Sequence, residues 1–426
     1  MKRDLANISL AGASVGGRLL GTLAMYALLA RALGPAAFGE FAYWYTVGII
    51  LSAVSDYGFG NQLLSTLPIL GRSSGRHELT RLAQGKTFLV VLVFLVGAGF
   101  AFLSTNAASP TATIDHVWVY VVLLSGAAAT LTDFFGWALK AKARFRLDAM
   151  HTMVGTALGN VVGGAVGYVT SSLALAAVTM LVFRLAALAF QFRSASGLFD
   201  IRLSDIFRAD CKALLKILAG GRSFALDGFA VQVATNFDVL VARNFLDPHA
   251  SGLYLAGSRL VQAALAGVPV LASVFIPKIA GRSNDNPAQL PKLFVVTVLV
   301  ISAIIIVIFY SARNYLPLWI FGADFRELSL LLVPMGLSVA IRYVGSLPGT
   351  ALIAMKEQRK RIMSLSLTVL VGAIAVACLV LNLTPLGFTS WSLSLVYLTM
   401  AIVQAALFYG LYEKIRSGAN LSKPAS

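Results

Sequence analysis

The sequence predicts an all-α polytopic membrane protein, with about twelve transmembrane helices in two six-helix lobes related by a parallel repeat. Three observations carry that prediction. The 426 residues are 58% hydrophobic and only 12% charged, where a soluble domain has about 25% charged residues, and the mean hydropathy is +0.81. Twelve apolar runs approach the roughly 20 residues that a spanning helix needs. Finally, residues 29–41, LARALGPAAFGEF, are echoed by residues 241–253, VARNFLDPHASGL.

In the first half the runs lie at 8–30, 38–60, 87–105, 117–137, 149–169 and 172–191, and in the second at 223–244, 252–276, 293–312, 328–353, 362–382 and 391–411. The first follows Lys2 and Arg3 as a signal peptide would. Arg18 interrupts it, however, and no small-residue cleavage site follows, so it is expected to be a retained helix. In the fifth, Gly155, Gly159, Gly163 and Gly167 recur every fourth residue, the pattern of a close-packing face for another helix. Pro269, Pro334 and Pro348 are expected to break the eighth and tenth spans, which gives bending points. Between the halves, residues 204–218 put Leu203, Phe207, Cys211, Leu214 and Leu218 on one face and Arg208, Lys212 and Lys216 elsewhere, which predicts an amphipathic helix on the cytoplasmic surface.

The basic residues orient these spans. Twenty-six of the 34 Lys and Arg fall on the side shared by both termini, including Arg72, Arg76, Arg81 and Lys86 in the loop before the third span. Only Arg31, Arg243, Arg313 and Arg326 fall on the other. The asymmetry predicts a multi-pass protein of the bacterial cytoplasmic (inner) membrane with both termini cytoplasmic. It also accounts for the formal charge of +16 without nucleic-acid binding.

Six helices return the chain to its starting side, so a repeat must enter the membrane in the same direction. Pro35 and Pro248 are 213 residues apart, as are Gly39 and Gly252, and ALKAK at 138–142 matches ALIAM at 351–355 at the same offset. The expected organisation is an N-terminal lobe over 1–192, a cytoplasmic amphipathic linker over 193–222 and a C-terminal lobe over 223–426. The repeated Pro-Gly stretches are read as extracytoplasmic turns with an architectural function.

The stretch LGPAAFGEFAYW, followed by SDYGFGNQLL, and the turn YLPLWIFGADFRELSLLL at 315–332 resemble the Wzx-type O-antigen and exopolysaccharide flippases. These form the polysaccharide-transporter branch of the multidrug/oligosaccharidyl-lipid/polysaccharide exporter superfamily. The resemblance implies two six-helix lobes around a central cavity. It also implies transfer of a polyprenyl-diphosphate-linked glycan to the outer leaflet for surface polysaccharide synthesis, with polymerase or ligase machinery as neighbours.

The candidate site follows from the cost of charge in a bilayer, about 2.5 to 3.5 kcal/mol for an arginine at a helix centre on insertion scales. Arg18, Arg259 and Arg342 are the most central; Arg184 lies nearer the cytoplasmic side. A guanidinium offers a fixed fork to the oxygens of a diphosphate. Arg18, Arg259 and Arg342 are therefore expected to face the inter-lobe cavity and bind the diphosphate. The alternative is neutralisation by neighbouring acids. Asp227 and Asp238, eleven residues apart, share a helical face to within about 20° and are candidates for ion pairing or ion coupling. Asp56 and Asp133 are given no role. The four histidines are scattered, and Cys211 and Cys378 suggest neither a disulfide nor a metal site. No cofactor, metal site or catalytic group is expected, and a monomer suffices. Two alternatives stand beside the flippase: a cation-coupled multidrug exporter of the same superfamily, whose site would favour carboxylates and aromatics, and a membrane-embedded glycan polymerase or glycosyltransferase, which would be expected to carry a larger catalytic loop.

Overall fold

The computed structural model describes residues 2–108, 116–207, 211–280, 290–355, 357–383 and 386–421; within these, the side chains of 2–15, 207, 211–225 and 227, among others, lie outside the description. The described chain is helical throughout and divides into two compact units, Met1–Leu33 with Phe41–Gln232 and Gly34–Glu40 with Val233–Ser426. Among the described residues ten helical stretches are long and apolar enough to cross a membrane.

The first unit contains most of α1 (Lys2–Asp56), then α2 (Phe59–Thr66), α3 (Arg72–Ala108), α4 (Val117–Ala141), α5 (Phe145–Thr152), a π-helical turn (Met153–Leu158), α6 (Gly159–Thr170), α7 (Leu173–Phe199) and α8 (Leu203–Phe207). α1 holds the first two predicted spans, joined at Gly34, whose φ of 72° and ψ of 176° leave the helical region just before Pro35. Only glycine takes that conformation without strain. α4 packs against α3 and α7, and α6 packs against α7. The predicted glycine face is the α6–α7 contact: a Cβ on Gly159 would come within 2.7 Å of Phe183 Cβ, and one on Gly163 within 2.5 Å of Met180 Cγ.

The second unit contains the rest of α9 (Cys211–Phe245), α10 (Pro248–Leu265), α11 (Gly267–Ala280), α12 (Lys292–Ser311), α13 (Leu316–Ile320), a 3-10 turn (Ala323–Leu328), α14 (Ser329–Ala354), α15 (Gln358–Val380) and α16 (Ser390–Leu421). α14 is its central helix, flanked by α10, α11, α12 and α16. Asp247 caps α10 by accepting hydrogen bonds of 3.0 Å from the His249 and Ala250 backbone N–H groups, with Pro248 opening the helix where its missing N–H costs nothing. Asp247→Ala is expected to lower stability by about 1 kcal/mol, measured as a small fall in the melting temperature of the purified protein.

The repeated turns meet inside the second unit. A Cβ on Gly39 would lie 2.7 Å from Gly252 Cα, and one on Gly252 would overlap the Pro35 carbonyl. Arg243 Nε and Nη2 grip the two oxygens of Glu40 at 3.2 and 3.3 Å. Phe38 packs on Phe321 and Phe325, with ring centroids 6.0 and 5.8 Å apart. The small residues of LGPAAFG thus let two backbones touch, while its aromatic enters the 315–332 turn.

Four sequence expectations differ from the structure. α3 begins at Arg72, well before the predicted 87, because its polar turns find partners: Arg81 bonds Glu78 at 2.8 Å, and Arg76 bonds Asp205 at 3.2 Å. Lys86, counted with the cytoplasmic loop, is fully buried. Of the proline breaks, the eighth span does break, between α10 and α11, whereas α14 runs unbroken through Pro334 and Pro348. Membrane helices tolerate proline without breaking, and here Ser338 Oγ adds a hydrogen bond of 2.8 Å to the Pro334 carbonyl within the same helix.

The predicted interfacial helix is the fourth difference. α8 ends at Phe207 and α9 starts at Cys211, continuous with the seventh span. Leu203 is exposed, and Ile201 and Ile206 are the residues buried among Leu79, Leu82 and Phe199. The side chains of Phe207, Cys211, Leu214 and Leu218 lie outside the described residues. α8 is fixed to α3 by polar contacts, since Gln84 Nε2 also donates to the Asp205 carbonyl at 2.8 Å. The Arg76 guanidinium holds the Asp205 carboxyl below the usual carboxylate range, helped by the Arg202 backbone N–H.

Candidate functional site

The first unit contains a cavity of about 510 Å³ lined by α1, α4, the π-helical turn, α7 and Gln232 of α9, with Arg18, Asp56, Asp133 and Arg184 among its walls. In helices this apolar, four ionisable side chains around one cavity require mutual compensation or water. Arg18 meets Asp133 of α4, its Nη1 lying 3.3 and 3.4 Å from the two carboxylate oxygens. Their side chains are 35% and 45% exposed, so the pair is partly solvated.

Behind the cavity wall, Lys86 of α3 has no exposed surface, and its ammonium is surrounded by oxygen. It donates to the Ser55 carbonyl at 3.0 Å, Thr130 Oγ1 at 2.9 Å and Asp56 Oδ1 at 3.4 Å. Three acceptors match its three donors, one of them a backbone carbonyl in the last turn of α1, where a cation is favoured. The Asp56 carboxylate, 45% exposed, reaches from this ammonium into the cavity lining.

On the α6–α7 side a hydrogen-bond chain links the two arginines. Thr22 Oγ1 donates to the Arg18 carbonyl at 2.8 Å, Asn160 Nδ2 donates to Thr22 Oγ1 at 2.9 Å, and Arg184 Nη2 donates to Asn160 Oδ1 at 3.3 Å. Arg184 Nη2 also donates to Tyr45 Oη at 2.9 Å.

The second unit buries a separate cluster. Asp238 Oδ2 accepts from Tyr254 Oη at 3.0 Å, while its Oδ1 is enclosed without a hydrogen-bond partner. The Arg342 guanidinium lies over the Tyr397 ring, 4.3 Å from its centroid, and its Nε and Nη2 have no partner. No Arg342 nitrogen comes within ion-pair distance, 4.0 Å, of the Asp238 carboxylate. Arg259 is 1% exposed and donates from Nη1 to Gln262 Oε1 at 2.9 Å; Gln262 in turn bonds Asn236.

The structure therefore places Arg18 at a cavity, Arg342 over the Tyr397 ring, and Arg259 in an amide network with Gln262 and Asn236. The Asp227 side chain lies outside the described residues. The acid that neutralises Arg18 is Asp133, to which the sequence reading gave no role. Lys86 was missed because a lysine at the end of a charged stretch reads as loop. Among the described residues no group of three or more His, Cys, Asp and Glu is placed to hold a metal ion.

The sequence profile of the family described as "Polysaccharide biosynthesis protein" matches residues 6–283, well over half of the chain. No curated protein sequence matches. Several solved structures share the fold, three of them as follows. An inward-facing multidrug resistance MATE family transporter of the MOP superfamily is 14% identical, with 96% of each chain covered and a TM-score of 0.73. The lipid II flippase MurJ, in an inward closed conformation, is 13% identical over 95% of this chain and 87% of its own, with a TM-score of 0.68. A MOP superfamily transporter from Pyrococcus furiosus, described as having a binding pocket of reverse polarity, is 14% identical over 96% and 95%, with a TM-score of 0.60.

Proposed function

Since the chain belongs to the polysaccharide biosynthesis protein family, we propose that it moves a polyprenyl-diphosphate-linked oligosaccharide from the cytoplasmic to the outer leaflet. The product would feed O-antigen, capsule or exopolysaccharide synthesis, with polymerase or ligase enzymes downstream. The observation that carries this reading is the polar cavity inside an otherwise apolar, membrane-crossing unit, with two guanidinium groups, Arg18 and Arg184, in its walls. Guanidinium groups recognise phosphate oxygens through two-pronged, charge-assisted hydrogen bonds. Arg18 is the head-group contact in this proposal. Arg342, with two unsatisfied N–H groups, is its counterpart in the second unit, and Arg259 is a structural residue. Transport by alternating access involves no bond chemistry. An inside-negative potential assists outward passage of the diphosphate by about 2.3 kcal/mol per charge per 100 mV.

In this reading the protein is a monomer of the bacterial inner membrane with both termini cytoplasmic, as the Lys and Arg distribution supports. Deleting the gene is expected to trap complete lipid-linked repeat units on the cytoplasmic leaflet, scored with a membrane-impermeant glycan probe. Wild type should clear them, and a stably expressed Arg18→Ala should not. With redundant carriers removed, absence of any such accumulation would refute the reading. The exporter alternative draws on Asp56 and Asp133 in the same cavity, since carboxylates suit organic cations. It predicts drug sensitivity on deletion and unchanged surface polysaccharide.

A further inference from the structure

Among the described residues of the first unit, Arg184 is the buried ionisable group without a counter-charge, since buried Lys86 and Asp148 pair with Asp56 and Lys140. Of the cavity carboxylates, Asp133 is matched by Arg18 and Asp56 by Lys86. Arg184 is 6% exposed, and among the described residues no carboxylate lies within 4.0 Å of it. Its partners are neutral: Tyr45 Oη, Asn160 Oδ1 and the Tyr45 ring, whose centroid is 5.5 Å from the guanidinium carbon. Its Nε is buried with no hydrogen-bond partner at all. A buried cation lacking a counter-charge is costly, and one that lines a cavity is an anion site awaiting its ligand.

The neighbouring pair is built to yield. Arg18 touches both Asp133 oxygens through one nitrogen, Nη1, without the parallel two-nitrogen fork of a strong pair. Both side chains are a third to a half exposed, where ion pairs contribute little. A hydrogen-bond chain runs from the Arg184 guanidinium through Asn160 and Thr22 to the backbone carbonyl of Arg18, fixing Arg184 to the turn of α1 that carries Arg18 and leaving the Arg18 guanidinium free to exchange partners.

We propose that the cavity is a two-point anion receptor in which Arg184 anchors one phosphate of a diphosphate, and Asp133 occupies Arg18 as a stand-in for the second phosphate until the ligand displaces it. Assigning the diphosphate to a lipid-linked glycan rests on the function proposed above; the exchange itself rests on the cavity. Asp133 is thus an internal competitor. It keeps Arg18 neutralised in the empty cavity and sets how many phosphates a ligand needs in order to hold both arginines.

The test is binding by calorimetry to the purified full chain in detergent. The probe is geranyl diphosphoglucose, with geranyl phosphoglucose, one phosphate shorter, as comparison. Asp133→Asn should tighten the diphosphate up to about fivefold and leave the monophosphate unchanged. Arg18→Gln should weaken the diphosphate and abolish the gain when combined with Asp133→Asn. Asn160→Asp, which gives Arg184 a carboxylate partner, should weaken both ligands about tenfold while keeping or raising the melting temperature, a combination that misfolding does not produce. Unchanged or weaker diphosphate binding by folded Asp133→Asn, or unaltered binding by Asn160→Asp, would overturn the proposal. The same pattern with inorganic diphosphate, in a protein that ignores the prenyl probes, would uphold the exchange and refute the lipid-linked reading.

Discussion

Lys86→Ala is expected to destabilise the first unit by about 3 kcal/mol, from a void in place of a long side chain and from the buried acceptors it abandons. The Ser55 carbonyl and Thr130 Oγ1 both lose the ammonium that now satisfies them. Removing one partner of a buried ion pair costs about 3 to 5 kcal/mol when the other stays buried; the value here lies at the low end because the Asp56 side chain is 45% exposed and can hydrate. That partition gives an ordering. Lys86→Met refills the volume without the hydrogen bonds and should cost about 1 to 2 kcal/mol. Asp56→Asn leaves the fully buried Lys86 ammonium without its counter-charge and should cost about 3 kcal/mol, more than Lys86→Met. Thermal unfolding of the three variants in one detergent reads the order, and equal melting temperatures for Lys86→Ala and wild type would contradict the buried placement.

Gly252→Ala is the second large effect. Its new methyl would overlap the Pro35 carbonyl, and the same contact continues to Gly39, whose Cβ would stand 2.7 Å from Gly252 Cα. These obstacles are backbone atoms, so no side-chain rotation relieves them. The turn carrying Pro35 must move away, loosening the Arg243–Glu40 pair and the Phe38 contacts beside it. Overpacking of this kind costs about 3 kcal/mol at its upper range. Gly410→Ala is the control: a Cβ there meets nothing within 4 Å, and alanine in a helix interior gains about 0.5 to 1 kcal/mol over glycine. Melting temperatures moving in opposite directions would confirm the contact; a Gly252→Ala protein as stable as wild type would exclude it.

The span pattern was legible because hydropathy measures what a bilayer selects, and the four-residue glycine spacing in α6 identified its packing face on α7. The 213-residue echo of Gly39 at Gly252 was legible as a repeat. That the two glycines touch was not, because symmetry in sequence does not say which equivalent positions meet. The continuation of α3 back to Arg72 was hidden for a related reason. Charged residues lower hydropathy whether they face water or, like Lys86 and Arg76, find partners on other helices. At the site, Arg18 could be singled out by the cost of a charge in mid-span. Its pairing with Asp133 and the lack of such a partner for Arg184 depend on which helices pack side by side, and an isolated sequence contains no contacts between distant helices.

The measurement that tests the function most directly is flipping by the purified chain in proteoliposomes. A fluorescent glycan on a polyprenyl diphosphate is distributed in both leaflets, and an impermeant quencher is then added. Vesicles without protein should retain about half of the signal, the inner-leaflet share. Wild type should bring the protected half out to the quencher, and Arg18→Ala should do so far more slowly. If wild-type protein leaves the inner half protected, yet moves an organic cation across the same vesicles under a proton or sodium gradient, the cavity serves a drug exporter and the flippase reading fails.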